Sequence, residues 1–289
     1  MAGISKEEMA ANYGWALSFL KSNHELWKLF NKAVDGSWSV NRFVASLRNT
    51  GWFKKHSDTY RQMQVLKKTD SATYSQRVQQ KYAQIQDMAA SLGADISKSH
   101  LGQLANNAMW FNWDESMLRN VLSNYVDQMG NSGHYGGEAG KAEDELRQYA
   151  ADMGITVSDG TLKGWLKNVV AQNQTTDDYK AWIQGQAQSA FSSIADQIKA
   201  GQTVKQIADP YIQQMGQTLE LDANAIDLKD PTIRKALQTT GPDGKPMMKT
   251  LWQFDEDLKK DSRWLSTNNA KSSLLNAGNQ LLKDFGFHW

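Results

Sequence analysis

Apolar residues return at every third or fourth position through most of this chain, the spacing that lines one side of an α-helix. The clearest run goes from Asp70 to Leu92, with Tyr74, Val78, Tyr82, Ile85, Met88, Ala89 and Leu92 in register. At 1.5 Å per residue it predicts a rod about 30 Å long. Shorter stripes precede it. Met9, Tyr13, Ala16, Leu17 and Leu20 follow a capping box of Ser5 and Glu8. Leu26, Leu29, Phe30, Ala33 and Val34 form a second stripe, and Val40, Phe43, Val44 and Leu47 a third behind Ser39. Trp52-Phe53 reads as a short connector pinned in the core, and Tyr60, Met63 and Leu66 as the buried side of the next helix. Further on, one long helix is expected from Thr176 through Trp182, Ile183, Ala187, Ala190, Phe191 and Ile194 to Ile198. Asp209-Pro210 and Asp230-Pro231 place an N-cap before a proline, an order that starts helices. Between them a short extended piece fits the alternation over 219–228, and Thr240 to Pro246 is a turn of hairpin type. The last helix runs from Thr267 to Phe285 on Ala270, Leu274, Leu275, Leu281 and Leu282, with Gly286 as its cap.

One stretch recurs. Leu92-Gly93-Ala94-Asp95-Ile96-Ser97 lines up, 61 residues on, with Met153-Gly154-Ile155-Thr156-Val157-Ser158. Leu101, Leu104, Asp114, Leu118 and Leu122 then fall on Leu162, Trp165, Thr175, Tyr179 and Ile183. Each copy reads as a helix closed by glycine, a short link, a serine cap and two antiparallel helices. At an offset of 75, Leu26, Leu29, Ala33, Trp38, Phe43 and Leu47 match Leu101, Leu104, Ala108, Trp113, Leu118 and Leu122, a third copy. Phe254-Leu258-Trp264 echoes Phe43-Leu47-Trp52 in the same way. A hairpin of this kind buries its single apolar stripe only against neighbours, so copies stack. The expectation is an all-α fold of stacked helical hairpins, about 12–14 helices with little or no sheet. It divides into an N-terminal hairpin region 1–69, a central duplicated region 70–200 and a C-terminal helical region 201–289.

Composition narrows the chemistry. The chain has 32 Lys and Arg against 31 Asp and Glu, which gives no charge-based case for nucleic acid or an anionic membrane. It has no cysteine, hence no disulfide, thiolate metal site or cysteine nucleophile. No apolar run approaches membrane-span length, and no secretion signal is visible at Met1 to Glu8. Four prolines among 289 residues favour helix throughout, and 11 tryptophans suit large buried contacts.

Catalytic and metal-binding patterns are missing. His24, His56, His100, His134 and His288 are scattered without ligand spacing and read as surface or capping residues. Asp114-Glu115, Asp177-Asp178 and Asp255-Glu256-Asp257 fall in first turns of helices or on exposed faces, where they complement the helix dipole. For a muramidase, Glu25 beside Leu26 and Trp27 is the nearest candidate acid. No catalytic residue, metal ligand or cofactor site is assigned. Candidate interface residues are the chain end, Phe285, Phe287, His288 and Trp289, with His134 and Tyr135 in a glycine-rich loop expected to be the most exposed stretch.

Four segments carry a resemblance. They are Tyr13-Gly14-Trp15-Ala16-Leu17-Ser18-Phe19, Arg48 to Ser57 with Tyr60-Arg61, Ala208-Asp209-Pro210-Tyr211-Ile212, and Asp261 to Ala270. Together they resemble virion structural proteins of tailed phages, especially those of actinobacterial hosts. The resemblance implies a non-enzymatic structural component, tail-associated or internal, made in the host cytoplasm and residing in the virion. Its partners would be other virion proteins in a symmetric, multi-copy assembly. A peptidoglycan-acting or glycan-binding tail domain is the alternative, and a DNA-contacting internal head protein is a third reading that the balanced charge opposes.

Overall fold

The computed structural model describes residues 6–12, 17–128 and 133–285. By contacts the chain separates into two compact units, Met1–Gly140 with Lys167–Asn173, and Lys141–Leu166 with Gln174–Trp289. Their boundaries fall elsewhere than at 69 and 200. Among the described residues there are 17 α-helices and one two-stranded sheet, so the fold is all-α.

The helices are α1 (Lys6–Asn12), α2 (Leu17–Lys21), α3 (His24–Asp35), α4 (Val40–Arg48), α5 (Gly51–Lys55), α6 (Asp58–Thr69), α7 (Ser71–Leu92), α8 (Lys98–Phe111) and α9 (Glu115–Ser123). After them come α10 (Gly137–Asp152), α11 (Asp159–Val170), α12 (Thr176–Ala190), α13 (Ala195–Lys199), α14 (Val204–Leu219), α15 (Pro231–Leu237), α16 (Leu251–Leu258) and α17 (Asn268–Asp284). The strands are β1 (Thr239–Thr240) and β2 (Pro246–Met247), paired antiparallel with Thr239 opposite Met247.

In the first unit, Phe19, Leu20, Leu26, Phe30, Ala33, Phe43, Leu47 and Trp52 bury their side chains in one cluster of α2 to α5. A second cluster gathers Met63, Tyr74 and Met109, flanked by Leu66, Val78 and Trp110. Rings connect the two: Phe19, Trp52, His56, Tyr60, Trp110 and Tyr74 follow one another at centroid distances of 5.6, 5.2, 4.3, 4.9 and 6.1 Å. His56 is therefore a half-buried stacking partner whose Nδ1 lies 2.7 Å from the Trp52 carbonyl oxygen. The Arg61 guanidinium packs 3.6 Å from the Phe53 ring centre and donates to the Phe53 carbonyl. The long α7 packs against α6, α8 and α9.

Helix starts follow the local signals. Ser39, Thr50, Ser57, Asp70, Ser97 and Asp114 each accept, through the side chain, the backbone N–H three residues on. Between α3 and α4 the chain passes through left-handed Ser37, then Trp38, then the cap Ser39; between α8 and α9 it repeats the sequence with Asn112, Trp113 and Asp114. In both, the tryptophan N–H donates five residues back, to Ala33 and to Ala108, at 2.9 and 3.0 Å. Gly93 and Gly154 likewise share positive φ, 80° and 66°, and Ser97 and Ser158 accept from the amides of His100 and Thr161. The turn before α12 is two residues longer than that before α9, with Gln172 left-handed and Thr175 the cap.

Several elements differ from expectation. Trp52-Phe53 lies in a true helix, α5. Its N-terminus is closed by Glu25, whose carboxylate accepts from Gly51 and Trp52 N–H at 2.8 Å each. The helix expected to reach Ile198 unbroken stops at Ala190. Phe191 leaves helical geometry (φ −126°, ψ 61°) to bury its ring beside Gly154, and a 3-10 turn at Ser192–Ile194 leads into α13. Pro210 does not restart a helix but sits inside α14, whereas Asp230-Pro231 starts α15 as expected. The 219–228 segment forms a 3-10 turn at Ala223–Ala225, with no strand.

The glycine-rich loop is the largest correction. Tyr135 is buried, at 8% exposure, although His134 beside it is exposed. The cause is a backbone-to-backbone contact. A Cβ on Gly93 would stand 2.0 Å from the Gly136 carbonyl oxygen, and one on Gly137 2.4 Å from that of Ser91. Gly93 and Gly137 serve close approach of this segment to the end of α7.

Candidate interaction surface

Helix α17 is anchored at one end and uncovered along the rest. Its first turn is tied down by several groups of the second unit. Thr267 is buried and caps Ala270 N–H at 3.0 Å, and Ala270 is itself fully buried. Glu220, left-handed at the end of α14, accepts from Asn268 and Asn269 N–H at 3.1 and 2.8 Å, a negative charge on the positive end of the helix dipole. These amide bonds hold the Glu220 carboxyl below its ordinary pKa. Asn269 Nδ2 donates back to the Gln217 carbonyl at 2.9 Å.

Beyond Ala270 every described residue of α17 is exposed. Leu274, Leu275, Leu281 and Leu282 are 63, 68, 59 and 41% exposed, and Phe285 72%. With Gly278 they occupy i, i+1, i+4, i+7, i+8 and i+11, an arc of about 120° on a helix of 3.6 residues per turn. The stripe is as regular as those buried elsewhere in the chain. Here nothing in the second unit covers it.

Just before α17, Arg263 binds Asp261 at 2.6 Å and Asp230 at 2.9 Å, and donates to Thr232 Oγ1 at 3.1 Å. The guanidinium holds the Asp261 carboxyl down to about 2. The network clamps the 3-10 turn at Trp264–Ser266 to the start of α15, which fixes the point from which α17 leaves.

Other surfaces are less complete. Trp165 stacks on Tyr179 at 4.6 Å and meets Trp182 edge-on at 5.2 Å, with Trp182 47% exposed. A groove of about 700 Å³ runs between the β-hairpin and α16, lined by Thr240, Met247, Trp252, Glu256 and Lys260, with the Lys249–Asp257 ion pair on its wall. Another, of about 460 Å³, lies along α6 beside Phe53, Arg61 and Leu66. Among the described residues no buried side-chain nitrogen or oxygen lacks a partner, and no group of three or more His, Asp or Glu is placed to hold a metal ion. No described helix is long and apolar enough to cross a membrane.

Of the residues singled out in the sequence, Phe285 lies on the α17 stripe. Phe287, His288 and Trp289 lie outside the described residues. Tyr135 is in the core of the first unit and away from solvent, so it presents no exposed docking group; His134 is at the surface. Glu25 is exposed, and its two backbone hydrogen bonds lower its pKa. That is opposite to the raised value a general acid needs. The α17 leucines read from sequence as an ordinary stripe. Periodicity finds such a face but carries no signal that a partner is missing.

Comparison of the chain with protein-family models, with curated proteins and with solved structures found no match.

Proposed function

We propose that this chain is a non-enzymatic structural subunit that works by packing against other proteins, and that α17 is its docking element. The observation behind the reading is the α17 stripe. Four leucines, and Phe285 at the C-cap, line one face of a 17-residue helix held at its first turn. Leaving each in water forgoes roughly 1.5–3 kcal/mol, and a free helix of this length is only marginally stable. A partner surface supplies both the burial and the order. On the resemblance of its four segments to virion structural proteins, the assembly is the particle of a tailed phage, and the partners are other virion proteins, with the chain tail-associated or internal.

Electron microscopy of such particles tests this: the chain should occupy ordered, symmetric density with α17 in a subunit contact. The alternative, a peptidoglycan-acting or glycan-binding tail domain, draws on Trp182, 47% exposed and edge-on to the half-buried Trp165, since an open aromatic face suits a sugar ring. Its catalytic form lacks support from Glu25, which is engaged as a helix cap. Clearing of a peptidoglycan suspension by the purified protein, lost on Glu25→Gln, would overturn the structural reading.

A further inference from the structure

The apolar pattern of α17 reads alike from both ends. Leu274-Leu275-Asn276-Ala277-Gly278-Asn279-Gln280-Leu281-Leu282 has leucines four and three residues before Gly278 and three and four after it. Gly278 lies at the middle of the exposed arc. A residue k places before it and one k places after it therefore sit at mirrored heights and mirrored angles. Two such helices, packed antiparallel about a two-fold axis that passes between their Gly278 residues, bring Leu274 level with the second copy's Leu282 and Leu275 level with its Leu281. Self-complementarity of this kind defines an isologous contact.

We infer that the partner of α17 is α17 of a second copy of this chain, packed antiparallel about Gly278. The inference rests on the docking role proposed above and names its occupant. Three further observations carry it. A Cβ on Gly278 would meet nothing within 4 Å, so no packing within the chain asks for glycine there. Glycine weakens a helix interior, yet it lets two backbones approach closely at the crossing point. At the ends of the contact, Lys271 and Phe285 lie seven residues either side of Gly278. Each lysine then reaches the other copy's phenylalanine ring, with Asp284 alongside, a cation set against an aromatic face and a carboxylate. The area also suffices. Covering five side chains on each helix, at on the order of 100 Å² apiece, removes about 1,000 Å² in total, where specific interfaces begin.

The test uses the full chain. Sedimentation velocity over a concentration series should show a reversible dimer, and Leu281→Asp should weaken it on the order of 100-fold, because each interface loses two leucines. The exposed site leaves the fold intact, as an unchanged circular dichroism spectrum checks. Orientation is read by cysteine pairing, since the chain has no cysteine of its own. An equimolar mixture of Leu274→Cys and Leu282→Cys should oxidise mainly to the mixed disulfide, with little of either homodimer. A chain monomeric throughout the series, a dimer indifferent to Leu281→Asp, or preferential 274–274 and 282–282 disulfides would each overturn the inference. A monomer in which Leu281→Asp still prevents incorporation into particles would remove self-pairing and leave the docking role standing. A dimer with the expected disulfides in a protein that no particle contains would do the reverse.

Discussion

Two carboxylates on this protein act as helix caps supplied from a distance. Glu25 receives the first amides of α5 from 26 and 27 residues away, and Glu220 those of α17 from 48 and 49. Both are held below their ordinary pKa, chiefly by the backbone hydrogen bonds they accept. A depressed folded-state pKa adds stability that is present above the unfolded value and lost as pH falls through the folded one. Glu25→Gln should therefore lower the melting temperature at pH 7, and the gap to the parent protein should close in acid. Asp261 obeys the same sign. Arg263 holds it to about 2 against an ordinary 3.8, so Asp261→Asn should cost about 2 kcal/mol at pH 7. The loss should shrink as pH drops from about 4 toward 2, as urea unfolding at a series of pH values will read; a pH-independent loss would exclude the Arg263 network as its origin.

At the scale of elements, glycines separate into two kinds. Gly93 is left-handed, and any side chain on it runs into the Gly136 carbonyl. Gly93→Ala should destabilise the first unit by about 3 kcal/mol or more, from strain and from parting α7 from the Tyr135 segment. Gly164 sits within α11 with open space around its Cα. Gly164→Ala should stabilise by about 0.5–1 kcal/mol, since alanine is the better helix former. Thermal melts of the two variants side by side decide whether close approach, rather than glycine content, governs these elements. The sequence distinguishes them poorly. Gly93 was legible as a helix end, but its contact 43 residues on was not, and the segment holding Tyr135 consequently read as a loop in solvent.

At the scale of the molecule, α17 adds little to the second unit's own core. Among its side chains only Ala270 is buried. Deleting residues 272–289 should therefore leave the melting temperature within about 2 °C of the full chain, while abolishing dimers in sedimentation. A large loss of stability on truncation would mean that the helix folds back on its own chain and that the exposed stripe is not a docking face. The stripes of α3, α4, α8 and α9 provide the contrast. Leu26, Ala33, Phe43 and Leu47 are buried, and so are Leu101, Ala108, Leu118 and Leu122, the residues that match them at an offset of 75. Those stripes have partners inside the first unit, which α17 lacks within the second.

The sequence alone determined the class of the fold, the position of most helices and the residue at most of their caps. These are set by hydrogen bonds and side-chain periodicities spanning three to five residues, which any local stretch carries in full. Only the tertiary structure decided which apolar stripes are covered. It also decided that Phe191 interrupts a helix to pack on Gly154, that Glu25 caps α5, and that Tyr135 is inside. Each of those depends on what two segments dozens of residues apart do to one another, and a periodicity records the presence of an apolar face without recording what lies against it.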